Sequence, residues 1–173
     1  WLGLKSLGLS PNTIFVESTV RAEFLKRFWN SAITSVGAST IAVLLGSCAA
    51  YGLSRFQYRF GFMRNSDISF FFLSQLILPP VVLALPFFLI VRNLKLLDTH
   101  LVLILIYLTF NLPIVIWICT DQFRAIPRDL DEAAVIEGAS QWRIFRSICL
   151  PLAAPGVAVS GIFSFIFSWN ELM

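Results

Sequence analysis

Residues 126–151 read Ile126-Pro127-Arg128-Asp129-Leu130-Asp131-Glu132-Ala133-Ala134-Val135-Ile136-Glu137-Gly138-Ala139-Ser140 and then Gln141-Trp142-Arg143-Ile144-Phe145-Arg146-Ser147-Ile148-Cys149-Leu150-Pro151. This polar stretch separates two strongly apolar runs, as a loop at a membrane surface would. Pro127 suits a first helical turn, where its missing N–H would be unpaired anyway, and Asp129, Asp131 and Glu132 complement the positive end of a helix starting there. The spacing predicts a short helix to Glu137. Gly138 then fits a left-handed C-terminal position, where a residue with a Cβ would cost about 1 kcal/mol, and Ser140 can cap a second short helix. Two helices would meet at a sharp corner. Trp142, Phe145 and Cys149 recur at helical spacing on the second, while Ala133 and Ala134 leave room for a partner to approach the first. An amphipathic loop lying on the membrane fits the periodicity equally well.

Outward from this loop, composition sets the class. The chain is 57% hydrophobic, 14% aromatic and 13% charged, with a mean hydropathy of +0.79, far outside the usual soluble range. A span needs about 20 mainly apolar residues, and 30–53, 68–91, 101–120 and 155–173 qualify, uncharged until Glu171. The fold class expected is all-α, a polytopic transmembrane helical bundle of four spans plus a two-helix loop at 127–151, in one domain without linkers or a soluble module. A net charge of +3 makes no case for nucleic acid. Trp1 is not an initiator, residues 1–29 lack a secretory n-region and h-region, and the chain stops as the fourth span completes, so further helices are expected on both sides. Cys48, Cys119 and Cys149 are far apart in sequence and suggest neither a disulfide framework nor a metal site; they are expected to be small packing residues.

Within the first span Ala38, Ala42, Gly46 and Ala50 fall every four residues, a stripe that lets helix backbones approach closely. Gly156, Ser160, Ser164 and Ser168 form a second stripe in the fourth span, ending in Trp169-Asn170-Glu171. Serines in membrane helices bond back to their own backbone, so the stripe reads as close packing or as a solute-lining face. Pro79, Pro80 and Pro86 each remove an intrahelical hydrogen bond from the second span, and such breaks are tolerated where protein or a watery cavity satisfies the freed carbonyls. Asn111 with Pro113 makes a similar break in the third span, and Gln75 is a further polar candidate. On one reading these kinks serve packing alone; on the other, Gln75, Pro79, Pro86, Asn111, Ser160, Ser164, Ser168 and Asn170 border a translocation path.

What is absent narrows the chemistry. There is no Gly-x4-Gly-Lys-Ser/Thr phosphate loop, no buried Asp, Glu, Lys or His to suggest a proton relay or ion-coupled carrier, and no clustered nucleophile or metal set for a membrane enzyme. Energy must come from another subunit. His100, the only histidine, falls in a short loop, and Glu171 is either an interfacial carboxylate or a gate or solute contact. Basic residues do not settle orientation, because seven fall in the loops on one side and six on the other.

The segment Glu132-Ala133-Ala134, three residues, Gly138, nine residues, Ile148-Cys149-Leu150-Pro151 resembles the "EAA" loop of ABC importer permeases, by which a membrane subunit engages its ATPase. Tyr51-Gly52-Leu53-Ser54-Arg55-Phe56, Ile126-Pro127-Arg128-Asp129-Leu130, Glu137-Gly138-Ala139-Ser140 and Ser168-Trp169-Asn170-Glu171 extend the likeness, and are similar to the carbohydrate-uptake branch, in particular the smaller permease of maltose-type importers. The resemblance implies a membrane subunit, not itself an enzyme and without a cofactor, whose docking residues are Asp131, Glu132, Ala133, Ala134, Gly138, Ala139, Ile148, Leu150 and Pro151. It implies an inner-membrane protein of six helices, of which this chain would hold the second to the fifth, with the loop cytoplasmic. Its partners would be an ATPase dimer, a second permease and an extracytoplasmic solute-binding protein. The solute would be a sugar or related polyol, with a glycerophosphate-type compound as the alternative and an ion-coupled carrier disfavoured by the uncharged spans. Alternating access is the implied mechanism, and turning a 1:99 inward preference into 99:1 takes about 5.5 kcal/mol of differential binding.

Overall fold

The computed structural model describes residues 11–58, 64–77, 79–97 and 99–172, with backbone alone at 11–19, 80 and 81. Every regular element among them is helical. In chain order these are α1 Pro11–Arg55, α2 Asn65–Gln75, α3 Pro80–Asn93, α4 His100–Ala125, α5 Asp129–Ile136, α6 Gln141–Leu152 and α7 Ala154–Leu172.

The first helix is longer than the apolar run that announced it. It has 45 residues, about 68 Å at 1.5 Å per residue, against a hydrocarbon core of about 30 Å. Expected to begin at Asn30, it already runs from Pro11, because no glycine or further proline interrupts it before Gly37. Arg21, Glu23, Lys26 and Arg27 on this extension are exposed. Asn30 still marks a level in the fold, since its Oδ1 lies 3.1 Å from Nε2 of His100, the first residue of α4.

Four uninterrupted spans are not found among the described residues. Two helices, α1 and α4, are individually long and apolar enough to cross a membrane; α6 and α7, bent by 77° at their junction, make a third if they count as one span. The expected second span is divided into α2 and α3, of 11 and 14 residues. Pro79 and Pro80 account for the break, since neither has an N–H to continue the helix and each disfavours helical geometry in the residue before it. Pro113 was expected to act likewise, yet α4 runs through it without interruption. That ring is fully buried, and the helices packed around it hold the backbone in place.

The core forms where α1, α4 and α7 cross. Ala38, Ala42 and Ala50 are fully buried, and a Cβ on Gly46 would stand 2.6 Å from Val115 Cγ1 on α4. The small-residue stripe of α1 is therefore the seat of α4. The same core continues without a gap into the loop: Ala50, Tyr51, Cys119 and Phe123 from the spans cluster with Ala134, Ile144, Phe145 and Cys149 from α5 and α6.

Candidate functional site

Local rules build most of the loop between α4 and α7. α5 begins two residues later than expected for Pro127 to open it: Arg128 is the N-cap residue, and its carbonyl accepts from Asp131 and Glu132 N–H at 2.9 and 3.0 Å. The acidic residues of its first turn, Asp129, Asp131 and Glu132, face the positive helix end. At its other end Gly138 has φ +81°. Gly138 N–H bonds Val135 O at 2.9 Å and Ala139 N–H bonds Ala134 O at 2.9 Å, the paired bonds of a Schellman motif. Ser140 Oγ then accepts from Arg143 N–H at 3.4 Å to start α6. Within α6, Phe145–Cys149 is a π-helical turn, with Leu150 N–H reaching back to Phe145 O. It ends two residues before Pro151, which has no N–H to offer the regular ladder.

Long-range contacts fasten this corner to the spans. Arg55, the last residue of α1, places Nε 2.7 Å from Asp131 Oδ2, and the two side chains are only 6% and 16% exposed. The N–H direction is off the oxygen, so the contact is an ion pair more than an aligned hydrogen bond. Arg55 Nη1 donates to Ile126 O at 3.1 Å and Nη2 reaches Cys149 Sγ at 3.9 Å. Cys149 in turn donates to Asp131 Oδ1 at 3.2 Å. Burial, and then this bond to the carboxylate, push the Cys149 thiol up from its ordinary value, which keeps it a donor. One arginine thus ties α1 to the start, middle and end of the loop. Tyr51 donates a 3.3 Å bond to Gln141 Oε1 and sets its ring 4.9 Å from that of Phe145, tilted by 48°.

The loop's named residues divide between two faces. Asp131 lies in the clamp, Ala134 is buried against the core, Ala139, Ile148 and Leu150 are half-buried, and Glu132, Ala133, Gly138 and Pro151 are exposed. Ala134 was expected to make room for a partner; its small side chain instead lets α5 lie close on its own chain. The outward face has Val135, Ile136 and Trp142 at 49, 87 and 63% exposure, beside Glu132 and Glu137. Arg55 and Cys149 were missed as members of the site, since in sequence Arg55 was only a charge closing a span and Cys149 a packing residue.

The path candidates are scattered. Gln75 is half-buried at the end of α2, while Pro79, Pro86 and Asn170 are exposed. Asn111 meets Ser168 in the seam of α4 and α7, its Nδ2 donating to Ser168 Oγ at 2.7 Å. Ser160, Ser164 and Ser168 are all fully buried in that seam. Ser160 bonds back to Val157 O at 2.8 Å and touches Cys119 Sγ at 3.5 Å, and a Cβ on Gly156 would collide with Gln122 of α4. In this arrangement the stripe is a helix–helix contact. A cavity of about 430 Å³ opens instead between α3, α4 and α7, walled by Phe87, Phe110 and Phe167 with Thr99, Tyr107 and Glu171 as its polar groups. Glu171 was the one signal for it in the sequence.

A bundle of apolar helices carrying a partly exposed loop is the architecture of a helical membrane protein. The chain belongs to the family of binding-protein-dependent transport system inner membrane components, whose model matches residues 42–173. It is 38% identical to the diacetylchitobiose uptake system permease protein NgcG of Streptomyces coelicolor, over 86% of this chain and 48% of that one. It is also 38% identical to the trehalose transport system permease protein SugB of Mycobacterium tuberculosis, over 95% of this chain and 60% of that one. Among solved structures, a bacterial ABC transporter involved in the import of the acidic polysaccharide alginate matches with a TM-score of 0.65 and 26% identity, over 84% of this chain and 50% of that one. The chain thus spans about half to three fifths of the length of these relatives.

Proposed function

We propose that this protein forms half of the translocation pathway of an ABC importer for a sugar or related polyol, driven through the loop 127–151 by a separate ATPase dimer. The observation that carries this reading is the division of the loop into two faces. Its inner face is continuous with the core of α1 and α4 and held by Arg55, while its outer face presents Val135, Ile136 and Trp142 to solvent beside two glutamates. An apolar patch rimmed by charge fits a protein partner, and the rigid anchorage lets a push on α5 and α6 move the spans as one body. Relatives whose names specify diacetylchitobiose and trehalose support a carbohydrate solute. The cavity walled by Phe87, Phe110 and Phe167 beside Glu171 is the stretch of path we assign to this subunit, together with the exposed Pro79, Pro86 and Asn170, and a second permease would close it. Solute would arrive from an extracytoplasmic binding protein.

Ile136→Lys in the full-length protein tests the docking face. Solute-stimulated ATP hydrolysis and uptake are expected to fall with membrane insertion intact, and unchanged hydrolysis would refute the assignment. Sidedness is tested by single cysteines in a cysteine-free background. One at Gln141 is expected to resist an impermeant thiol reagent in intact cells and one at Asn93 to react; the reverse pattern would place the loop outside.

A further inference from the structure

Where α1 and α4 end, a second cavity of about 410 Å³ lies between them and the start of α2, with Ser54, Gln57, Arg64, Asn65, Arg124 and Arg128 among its lining residues. We propose that it binds the phosphate group of an anionic membrane lipid. Among the described residues three arginines line the cavity and no carboxylate does. The acidic groups nearby are engaged or remote. Asp67 accepts Arg64 N–H at 2.8 Å to close the first turn of α2, and Asp131 is paired with Arg55. Asp121 stands 3.9 Å from Arg124 Nη1 with both side chains about half exposed, a separation and exposure at which an ion pair contributes little. The lining side chains that carry charge are therefore all positive, and guanidinium forks match phosphate oxygens in shape as well as charge.

Its walls are held in place. Asn65 Nδ2 donates to Leu53 O at 2.9 Å, its Oδ1 accepts Tyr58 N–H at 2.7 Å, and Arg128 Nη2 donates to Ser54 O at 3.3 Å. Position favours a lipid over other anions: Arg55 and Ala125 are the last residues of the two helices long and apolar enough to cross a membrane, and basic pockets at such helix ends hold lipid phosphates. From its wall α2 leads away with Phe70 and Phe71 at 70 and 54% exposure, a surface suited to acyl chains. Arg128 is also the N-cap residue of α5, so a bound phosphate would be held partly by the residue that starts the exposed loop. The inference rests on membership of the membrane family and not on the coupling role of the loop.

The test is native mass spectrometry of the full-length protein released from nanodiscs of equal phosphatidylglycerol and phosphatidylcholine. Preferential retention of phosphatidylglycerol is expected, reduced about five-fold for each arginine removed in Arg64→Gln and Arg124→Gln, restored in part by Arg64→Lys, and unaltered by Arg92→Gln far along the chain. Equal retention of the two lipids, or a preference indifferent to Arg64 and Arg124, would overturn the proposal. Arginine-dependent thermal protection by inorganic phosphate in pure phosphatidylcholine, with none from phosphatidylglycerol, would overturn the lipid as the source of the phosphate.

Discussion

Arg55 and Asp131, 76 positions apart in the chain, stand 2.7 Å from each other where α1 ends and α5 begins. Removing one member of a largely buried pair leaves the other charge without a partner. Arg55→Ala or Asp131→Leu is therefore expected to destabilise the loop by about 3–5 kcal/mol, and Arg55→Met with Asp131→Leu to recover most of that loss. Thermal melting of the full-length protein in detergent checks this. A double variant no better than the worse single one would show that the pair does not act as a unit.

At Gly138 the backbone angle, not crowding, is the constraint, because φ is +81° and nothing lies within 4 Å of where a Cβ would be. Gly138→Ala and Gly138→Leu should therefore cost similar amounts, about 1 kcal/mol, and Gly138→Asn less. Melting temperatures and solute-stimulated hydrolysis should rank together across the three. A large gap between alanine and leucine would point to an unseen neighbour at the corner.

Close packing of α1 and α4 makes a steeper distinction among glycines. Gly46→Ala drives a methyl to 2.6 Å from Val115 Cγ1, whereas Gly161→Ala meets Val43 Cγ2 at an ordinary 3.4 Å. The first is expected to cost about 1–3 kcal/mol and to be rescued by Val115→Ala; the second should leave melting unchanged.

Ser164 is fully buried and its Oγ finds no hydrogen-bond partner among the described residues. Ser164→Ala should thus be neutral or slightly stabilising, while Ser164→Leu should overpack the seam with α4 and lower the yield of folded protein. Blocked uptake by Ser164→Leu at full yield and stability would instead assign the serine to the solute path.

Cys149 has a raised thiol pKa, so the folded loop favours its neutral form. Its contribution is present below the ordinary thiol value of about 8.5 and is lost as pH rises above it, where the unfolded chain ionises and the folded one does not. Slow alkylation at pH 8.5 and a melting temperature that declines above that pH are expected, and Cys149→Ser should flatten the decline. Alkylation as fast as that of a free thiol would contradict the burial.

Much of the loop was legible because its physics is local. A left-handed residue, a serine cap and an acidic first turn are set by neighbours within about five positions, and Gly138, Ser140 and Asp129 occupy those roles in the fold. The period of Ala38, Ala42, Gly46 and Ala50 likewise marked a packing face. Tertiary structure alone decided which face α4 would take and which charges would meet. Arg55, Asp131 and Cys149 converge only once α1 and α4 have crossed, and no spacing in the chain encodes that crossing angle. The prolines make the same point. Pro79 and Pro80 end a helix where Pro113 does not, since the surrounding helices bury Pro113 and α4 continues through it. The serine stripe was a polar line whose direction remained open, and it turned inward because Gly156 and the small hydroxyls let α7 lie against α4. Whether a small polar residue packs or faces a cavity depends on what stands across from it, which only the assembled helices supply.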